Sequence, residues 1–184
     1  GDGGTNRGFE RGAAFVADLD PEAWAALAQP SDALRRELAP SGRLRAAINL
    51  GNTVLAQTDA AGAPKGISVD LANALARRLG VPLEMIRYPT GGAVLPDGLA
   101  RDHWDVAFLA AEAERALEAD FTAPYVYIDG TYLVAQGSSF MRCADLDRDG
   151  VRIAVAKGAA YDLVLTRLLK KATIIRVETS AVAI

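Results

Sequence analysis

Short apolar runs alternate with an amphipathic helical pattern in the central part of the chain, and this alternation is the feature that most restricts the fold. The runs typical of strands are RLRAAINL (43–50), VPLEMIRY (81–88) and DVAFLA (105–110). The segment between the first two has Ile67, Leu71, Leu75 and Leu79 at i, i+4 spacing. Gly80 follows as a helix stop. Strands that alternate with helices favour a parallel or mixed α/β sheet.

A second alternation of the same kind follows residue 138. The sequence predicts a strand at 151–156, a helix within 157–172 and a strand at 173–178. Between the two units it predicts a helix around 112–119, a strand at 125–135, and a helix with a turn at 140–150. The stretch 91–104 is predicted to be irregular or weakly helical, because Pro96 and Gly98 interrupt its pattern.

The composition excludes several classes of protein. The net charge is −3, the pI is about 5.2 and no Lys/Arg run exceeds two residues, so a nucleic-acid-binding surface is not indicated. With one cysteine, Cys143, and one histidine, His103, a single chain forms neither an intrachain disulfide nor a His/Cys zinc cluster. No apolar run approaches the roughly 20 residues of a membrane span. The apolar patch at 13–17 is shorter than the roughly 7–15 residues of a secretory signal core.

Two motifs that resemble functional sites are interpreted as structural features. Alternate aspartates at 145–149 precede Gly150, as in the first half of a calcium-binding EF-hand loop, but the twelfth position holds Ala156 instead of a bidentate Glu. A solvated turn is therefore favoured. His103 has no Ser or Cys in a nucleophile motif to act on, so it is interpreted as a surface or boundary residue.

One arginine, Arg115, lies within the predicted helix at 112–119. Glu112, Glu114 and Glu118 surround it, and an exposed helix face with i, i+3 ion pairs accounts for this pattern. The alternative is an anchor for an anionic ligand. From the residues alone the solvated face is the simpler interpretation.

Four segments, in this order, resemble bacterial solute-binding proteins of amino-acid ABC transporters, family 3, which have the type II periplasmic binding fold. They are GISVDLANALARRLG (66–80), WDVAFLA (104–110), ERALEADFTAPY (114–125) and GVRIAVAKGAAYDL (150–163). The resemblance covers about residues 43–180. It implies two α/β lobes that close around a small ligand by rotation at a hinge.

The resemblance also implies a role for Arg115. In that family, an arginine six residues before an F-[ST]-x-P-Y motif binds the ligand carboxylate. Arg115 stands at this position relative to Phe121-Thr122-Ala123-Pro124-Tyr125. A planar guanidinium suits this task because it pairs with a carboxylate through two hydrogen bonds. The ligand anchor is therefore preferred over the solvated helix face.

Further ligand contacts are implied at the loop after the first strand, five positions before the arginine, and at the second-lobe turn. The residues are Asn49, Asn52, Thr53, Ala110, Gly158, Ala159 and Ala160. The family often has an aromatic residue in the first loop and a hydroxyl residue where this chain has Ala110. Its second-lobe G-[ST] pair appears here as Gly158-Ala159, which leaves only backbone N–H donors. No catalytic residue, metal or cofactor is predicted.

The predicted fold class is α/β, type II periplasmic-binding-protein-like, with two lobes, a hinge and a second lobe that is apparently truncated. The expected divisions are a flexible extension at 1–20, a helical segment at 21–42, a first lobe at 43–127, a hinge crossover at 128–136 and a partial second lobe at 137–184. An incomplete parallel sheet exposes N–H and C=O groups at its edge, so a homo-oligomer or domain swap is a predicted possibility.

The function implied by the resemblance is capture of a small carboxylate-bearing solute, an amino acid or a related polar metabolite, for an ABC-transporter permease. The family implies a periplasmic or extracytoplasmic location. Because no signal peptide is visible in this sequence, a cytoplasmic location is kept as an alternative. One alternative is an enzyme like cyclohexadienyl dehydratase, with Glu112 or Asp120 as general acid. Another is a degenerate or sensory lobe.

Overall fold

The structure is a computed structural model that describes residues 29–183. The predictions for the extension at 1–20 and for the helix that Asp20 and Pro21 would begin lie outside the described residues. The helices are α1 (Asp32–Leu38), α2 (Ile67–Leu79), α3 (Val94–Arg101) and α4 (Ala160–Leu168). The strands are β1 (Leu44–Asn49), β2 (Gln57–Thr58), β3 (Pro64–Lys65), β4 (Leu83–Tyr88), β5 (Val106–Ala107), β6 (Arg152–Ala156) and β7 (Thr173–Val177).

The first unit, called lobe 1, is built on a parallel sheet with strand order β4–β1–β5. The central strand β1 pairs with β4 from Leu44 opposite Leu83 to Asn49 opposite Tyr88. Its side chains Leu44 and Ile48 are fully buried, as expected for a strand with a neighbour on each side. The carboxyl ends of the three strands therefore lie at one edge of the sheet, where ligands bind in open α/β folds.

Helix α2 covers the sheet with a face that differs from the predicted stripe. Ala72, Ala76 and Leu79 are buried, whereas Ile67 and Leu71 are 47% and 37% exposed. The small alanines let the helix lie close to β1. The helix ends as predicted at Gly80, whose φ of 70° is a left-handed conformation that glycine adopts without strain.

Helix α3 lies within the stretch 91–104, which was predicted to be irregular or weakly helical, and shows that the helical alternative is the correct one. It is preceded by a single 3₁₀ turn, Gly91–Ala93. Pro96 is the third residue of the helix, where its missing N–H is one of those without an intrahelical partner in any helix, so proline does not interrupt it. The indole of Trp104 lies against Gly98, and its Nε1 donates to the Val94 carbonyl at 2.9 Å.

The second unit, called lobe 2, pairs β6 with β7 in parallel, and α4 connects the two strands. Its core contains Leu146, Ile153 and Val155. The carboxyl end of β6 leads directly into the Lys157–Gly158 turn and then into α4. Among the described residues this sheet has two strands.

Three other predicted elements differ in the structure. Residues 125–135 form no strand, since no other described segment pairs with them, and Tyr127 and Leu133 are 65% and 78% exposed. The predicted helix at 112–119 is a 3₁₀ turn, Arg115–Leu117, and that at 140–150 is the 3₁₀ turn Cys143–Asp145. No helix within residues 29–183 is long and apolar enough to cross a membrane.

Candidate functional site

Arg115 lies beyond the carboxyl end of β5 and is 6% exposed. Its Nη1 donates to the Ala110 carbonyl oxygen at 3.1 Å, and its Nη2 donates to the Gly158 carbonyl oxygen at 3.0 Å. None of the carboxylates in the described part of the chain forms an ion pair with it. The guanidinium is thus buried against neutral acceptors only, which is an unusual state for a cation in a protein interior.

The charge around Arg115 comes from two nearby glutamates. Burial lowers the pKa of the guanidinium, and the negative charges of Glu112 and then Glu114 oppose that effect. Arginine nevertheless stays protonated in proteins. A buried cation with no paired carboxylate is electrostatically suited to accept an anion that enters the site.

Asn49 ends β1 beside the same guanidinium. Its Oδ1 accepts a hydrogen bond from the Gly51 N–H at 3.0 Å. A Cβ atom added to Gly91 would lie 3.0 Å from Asn49 Nδ2 and 3.5 Å from Arg115 Nη2. The side-chain amide and the guanidinium therefore flank Gly91, and the absence of a side chain at Gly91 keeps the space between them free.

The other two predicted first-lobe residues lie in the loop after β1. Asn52 Oδ1 accepts from the Val54 N–H at 3.3 Å, and the Thr53 carbonyl accepts from Gln57 Nε2 at 2.6 Å. Thr53 lines a cavity of about 220 Å³ together with Lys65. No hydrogen bond among residues 29–183 joins Asn52 or Thr53 to Arg115. Their ligand-binding role stays a prediction.

Two of the three backbone N–H groups predicted to bind the ligand in lobe 2 donate hydrogen bonds within the protein instead. The Gly158 N–H donates to Asp162 Oδ2 at 2.9 Å, and the Ala159 N–H donates to the Ala156 carbonyl at 3.1 Å. Helix α4 begins at Ala160, and its N–H groups at 160–162 have no intrahelical partner because the first helical bond runs from Leu163. In this conformation the N–H donors that could serve a ligand belong to the first turn of α4.

Asp162 organises this turn and was not singled out from the sequence. Its side chain is 6% exposed and pairs with Arg176 Nη2 at 2.9 Å, besides accepting from Gly158. Thr166 Oγ1 donates to it at 3.2 Å. The carboxylate thus ties α4 and β7 to the turn whose carbonyl contacts Arg115.

The two lobes are in contact at the site. A Cβ atom on Gly92 would lie 2.7 Å from the Lys157 carbonyl oxygen and 2.9 Å from Gly158 Cα. Two ion pairs also join the lobes, since Arg167 on α4 contacts Glu112 at 3.1 Å and Glu114 at 2.5 Å. These contacts lie beside Arg115, which is buried.

A cavity of about 490 Å³ lies elsewhere, on the open face of the β6–β7 sheet. Its lining residues are Phe140, Gly150, Val151, Arg152, Ala154 and Ile175. It contains no buried polar side chain that a ligand could satisfy. The buried guanidinium is therefore the stronger candidate, because specific sites combine concave shape with a few converging polar groups.

The remaining candidates have local partners. His103 Nδ1 lies 2.6 Å from Asp97 Oδ2, which also accepts from the Tyr88 hydroxyl at 2.5 Å. Asp147 accepts hydrogen bonds from the backbone N–H groups of residues 170–172, which indicates a structural turn. Asp120, one of the proposed general acids, is exposed, and the other, Glu112, is held by Arg167.

The sequence model of the bacterial extracellular solute-binding proteins, family 3, matches residues 44–178. The chain belongs to this family. No curated protein matches the chain. The predicted family and the predicted α/β fold of the type II periplasmic binding kind are confirmed.

Solved structures agree with the family 3 fold. The ancestral amino acid-binding protein AncCDT-1, a precursor of cyclohexadienyl dehydratase, is 28% identical with a TM-score of 0.70, over 81% of this chain and 66% of that one. A putative binding component of an ABC transporter from Wolinella succinogenes, complexed with lysine, is 25% identical with a TM-score of 0.67, over 77% and 62%. The Gly52Ala mutant of arginine-bound ArgBP from T. maritima, at 22% identity and a TM-score of 0.64, covers 81% and 70% and supports the fold alone.

This family 3 chain thus spans slightly less than two thirds of the first two structures. Of its predicted site residues, the structure brings Arg115, Ala110, Asn49 and Gly158 together. Gly92, Asp162 and Arg167 were missed. The adjacent Gly91-Gly92 pair was the one sequence signal that could have indicated a close backbone approach.

Proposed function

We propose that the chain captures a small carboxylate-bearing solute, an amino acid or a related polar metabolite, by closing its two lobes around it. The observation that carries this proposal is the buried guanidinium of Arg115, whose hydrogen bonds go to two neutral carbonyl oxygens. A ligand carboxylate would replace the Gly158 carbonyl and form the shorter, stronger hydrogen bonds of a charged pair.

The protein environment would then supply the remaining contacts. Asn49 Nδ2 lies on the lobe 1 side, and the first-turn N–H groups of α4 lie on the lobe 2 side. The helix N-terminus carries a partial positive charge that favours an anion. These groups come from both lobes, which supports a ligand held between them.

The family description and the Wolinella structure, described as a putative ABC-transporter component, support a wider role. We propose an extracytoplasmic location and delivery of the solute to a membrane permease. Uptake of a labelled solute by vesicles that carry the permease, with and without this protein, tests the second step. Equal uptake would contradict it. Self-association stays a prediction.

Isothermal titration with the twenty amino acids, succinate and the matching amides tests the binding role. We expect Arg115→Ala to weaken carboxylate binding by about 30-fold or more, because removing one partner of a buried charged pair costs about 2–5 kcal/mol. Arg115→Lys is expected to recover part of the affinity, since the lysine restores the charge without the planar fork.

The matched control is Arg101→Ala, whose side chain is 72% exposed on α3. It should leave the affinity within about twofold of wild type. Unchanged binding by a folded Arg115→Ala variant would contradict the anchor role. Turnover of prephenate or arogenate would instead favour the dehydratase, and the absence of any thermal shift with the panel would favour a degenerate or sensory lobe.

A further inference from the structure

Arg167 makes a forked contact across the two lobes. It lies near the end of α4 in lobe 2, and its two terminal nitrogens contact Glu112 at 3.1 Å and Glu114 at 2.5 Å in lobe 1. The Glu112 side chain is 13% exposed, so this half of the fork is shielded from solvent. Arg167, Glu112 and Glu114 are called the inter-lobe fork below.

The same two glutamates are the acidic residues whose charges act on Arg115. Glu112 precedes Arg115 by three residues, and Glu114 is the N-cap of the 3₁₀ turn that begins at Arg115. A carboxylate this close would ordinarily pair with a buried arginine. Here both carboxylates point to Arg167, and Arg115 keeps neutral acceptors.

The two arginines in this region therefore contact two different kinds of acceptor. Arg167 takes the protein's own carboxylates, and Arg115 takes carbonyl oxygens that an anion can displace. If Arg167 were absent, Glu112 would have no partner across the lobes and would be free to turn toward Arg115. An internal carboxylate at Arg115 would then compete directly with a carboxylate of the solute.

We propose that Arg167 is a specificity-determining residue of this site: by engaging Glu112 and Glu114 it reserves Arg115 for an anionic ligand. This inference rests on the proposed function and assigns a role to a residue outside the ligand contacts. It also couples affinity to closure. Separation of the lobes breaks the inter-lobe fork, releases both glutamates next to Arg115 and thereby favours loss of the bound anion.

The test compares four forms of the protein by titration with L-lysine, L-arginine and succinate. Arg167→Ala is expected to bind the carboxylate probes about tenfold more weakly. Adding Glu112→Gln and Glu114→Gln to Arg167→Ala is expected to restore most of the affinity, because the competing charges are gone. Arg148→Ala, which removes a 3.0 Å pair with Asp145 inside lobe 2, is the matched control and should stay within about twofold.

The triple variant, Arg167→Ala with both glutamines, tests whether Arg167 acts through the glutamates or only holds the lobes together. A residue that only held the lobes together would leave the triple variant as weak as Arg167→Ala, and that result would overturn the proposal. Equal affinity of Arg167→Ala and wild type would overturn it too. Circular dichroism on each variant confirms that the fold is kept.

A second measurement does not depend on the solute. Spin labels on the exposed Cys143 and on Ala74→Cys, exposed on α2, report the distance between the lobes without any ligand. We expect Arg167→Ala to broaden the distance distribution toward longer values. An unchanged distribution would overturn the coupling of affinity to closure. If wild type binds no probe while the distance changes as expected, the proposed function has failed and the inter-lobe fork is supported.

Discussion

Asp162 shows how one carboxylate can hold the Lys157–Gly158 turn in place. It is nearly buried and accepts hydrogen bonds from the Gly158 N–H, Arg176 and Thr166. Burial alone would raise its pKa, but the Gly158 N–H and Arg176 hold the pKa below its usual range. The ionised form is therefore the one that the fold stabilises.

The pH dependence of stability follows from that direction. Because the pKa of Asp162 is lower in the folded than in the unfolded protein, its contribution is fully present above the unfolded value near 4. It is lost as the pH falls through the folded value. Asp162→Asn removes an ionised acceptor, and we expect it to cost about 2 kcal/mol at pH 7, or roughly 4–8 °C in melting temperature.

Calorimetry from pH 8 to pH 3 measures this difference. The gap in melting temperature between wild type and Asp162→Asn should be constant above about pH 5 and should shrink below about pH 4. Asp149→Asn, an exposed residue of the same lobe, should lie within about 1 °C of wild type. A gap that widened on acidification would contradict the assignment.

The sequence predicts the site residues that belong to a local motif, and it misses those whose role depends on a partner far away in the chain. Arg115 was found because its spacing to Phe121 is a local pattern that a sequence carries. The pair of Arg167 with Glu112 joins residues 55 positions apart, and nothing in either local segment indicates it. The use of the Gly158 N–H by Asp162 depends on a turn conformation with a φ of +69°, which the sequence only permits.

For helix α2, too, the sequence predicts only part of what the structure shows. Its type and its end at Gly80 follow from periodicity and glycine, but the buried face is set by the approach of the helix to β1. Ala72 and Ala76 are more deeply buried than Leu71, although the leucine is the more hydrophobic residue. Close packing of a helix on a sheet favours small side chains at the point of nearest approach.

Two leucines of α2 should therefore differ in their effect on stability. Leu79 is 2% exposed, and Leu79→Ala is expected to lower the free energy of unfolding by about 2–4 kcal/mol through a buried cavity. Leu71 is 37% exposed, and Leu71→Ala should cost about 1 kcal/mol or less. Urea unfolding followed by tryptophan fluorescence compares them, and equal losses would contradict the observed orientation of the helix.

The segment 125–135 shows why a strand-like sequence is not sufficient for a strand. Its aromatic and β-branched residues favour an extended chain, and the sequence prediction followed that preference. A strand also needs a neighbour for its N–H and C=O groups, and within residues 29–183 no segment pairs with it. Pairing is a property of the whole sheet, so local preference could not supply it.

Across the whole molecule, the lobes meet backbone to backbone at Gly92 and Gly158. Gly92→Ala places a methyl group 2.7 Å from the Lys157 carbonyl oxygen, a clash with a main-chain atom that no side-chain rotation relieves. We expect this variant to hold the lobes apart and to weaken carboxylate binding about tenfold. The free energy of unfolding should change by less than about 1 kcal/mol, because neither core is altered.

Small-angle scattering and titration with L-lysine check this expectation. The radius of gyration without ligand should rise in Gly92→Ala. Ala100→Ser is the control, since it adds one atom at an exposed position of α3, away from the contact between the lobes. An unchanged radius together with unchanged affinity would show that the contact at Gly92 does not govern closure.

The hydrogen bond from Arg115 to the Gly158 carbonyl has a thermodynamic consequence for selectivity. If a solute binds at Arg115 as proposed, it has to exchange with the Gly158 carbonyl, because one acceptor must leave as the other arrives. A neutral amide oxygen replaces a neutral carbonyl oxygen with little net gain, whereas a carboxylate replaces it with a charged partner. Under the proposed function, the Gly158 carbonyl would therefore make the site favour carboxylates over uncharged analogues by charge alone, independently of the shape of the pocket.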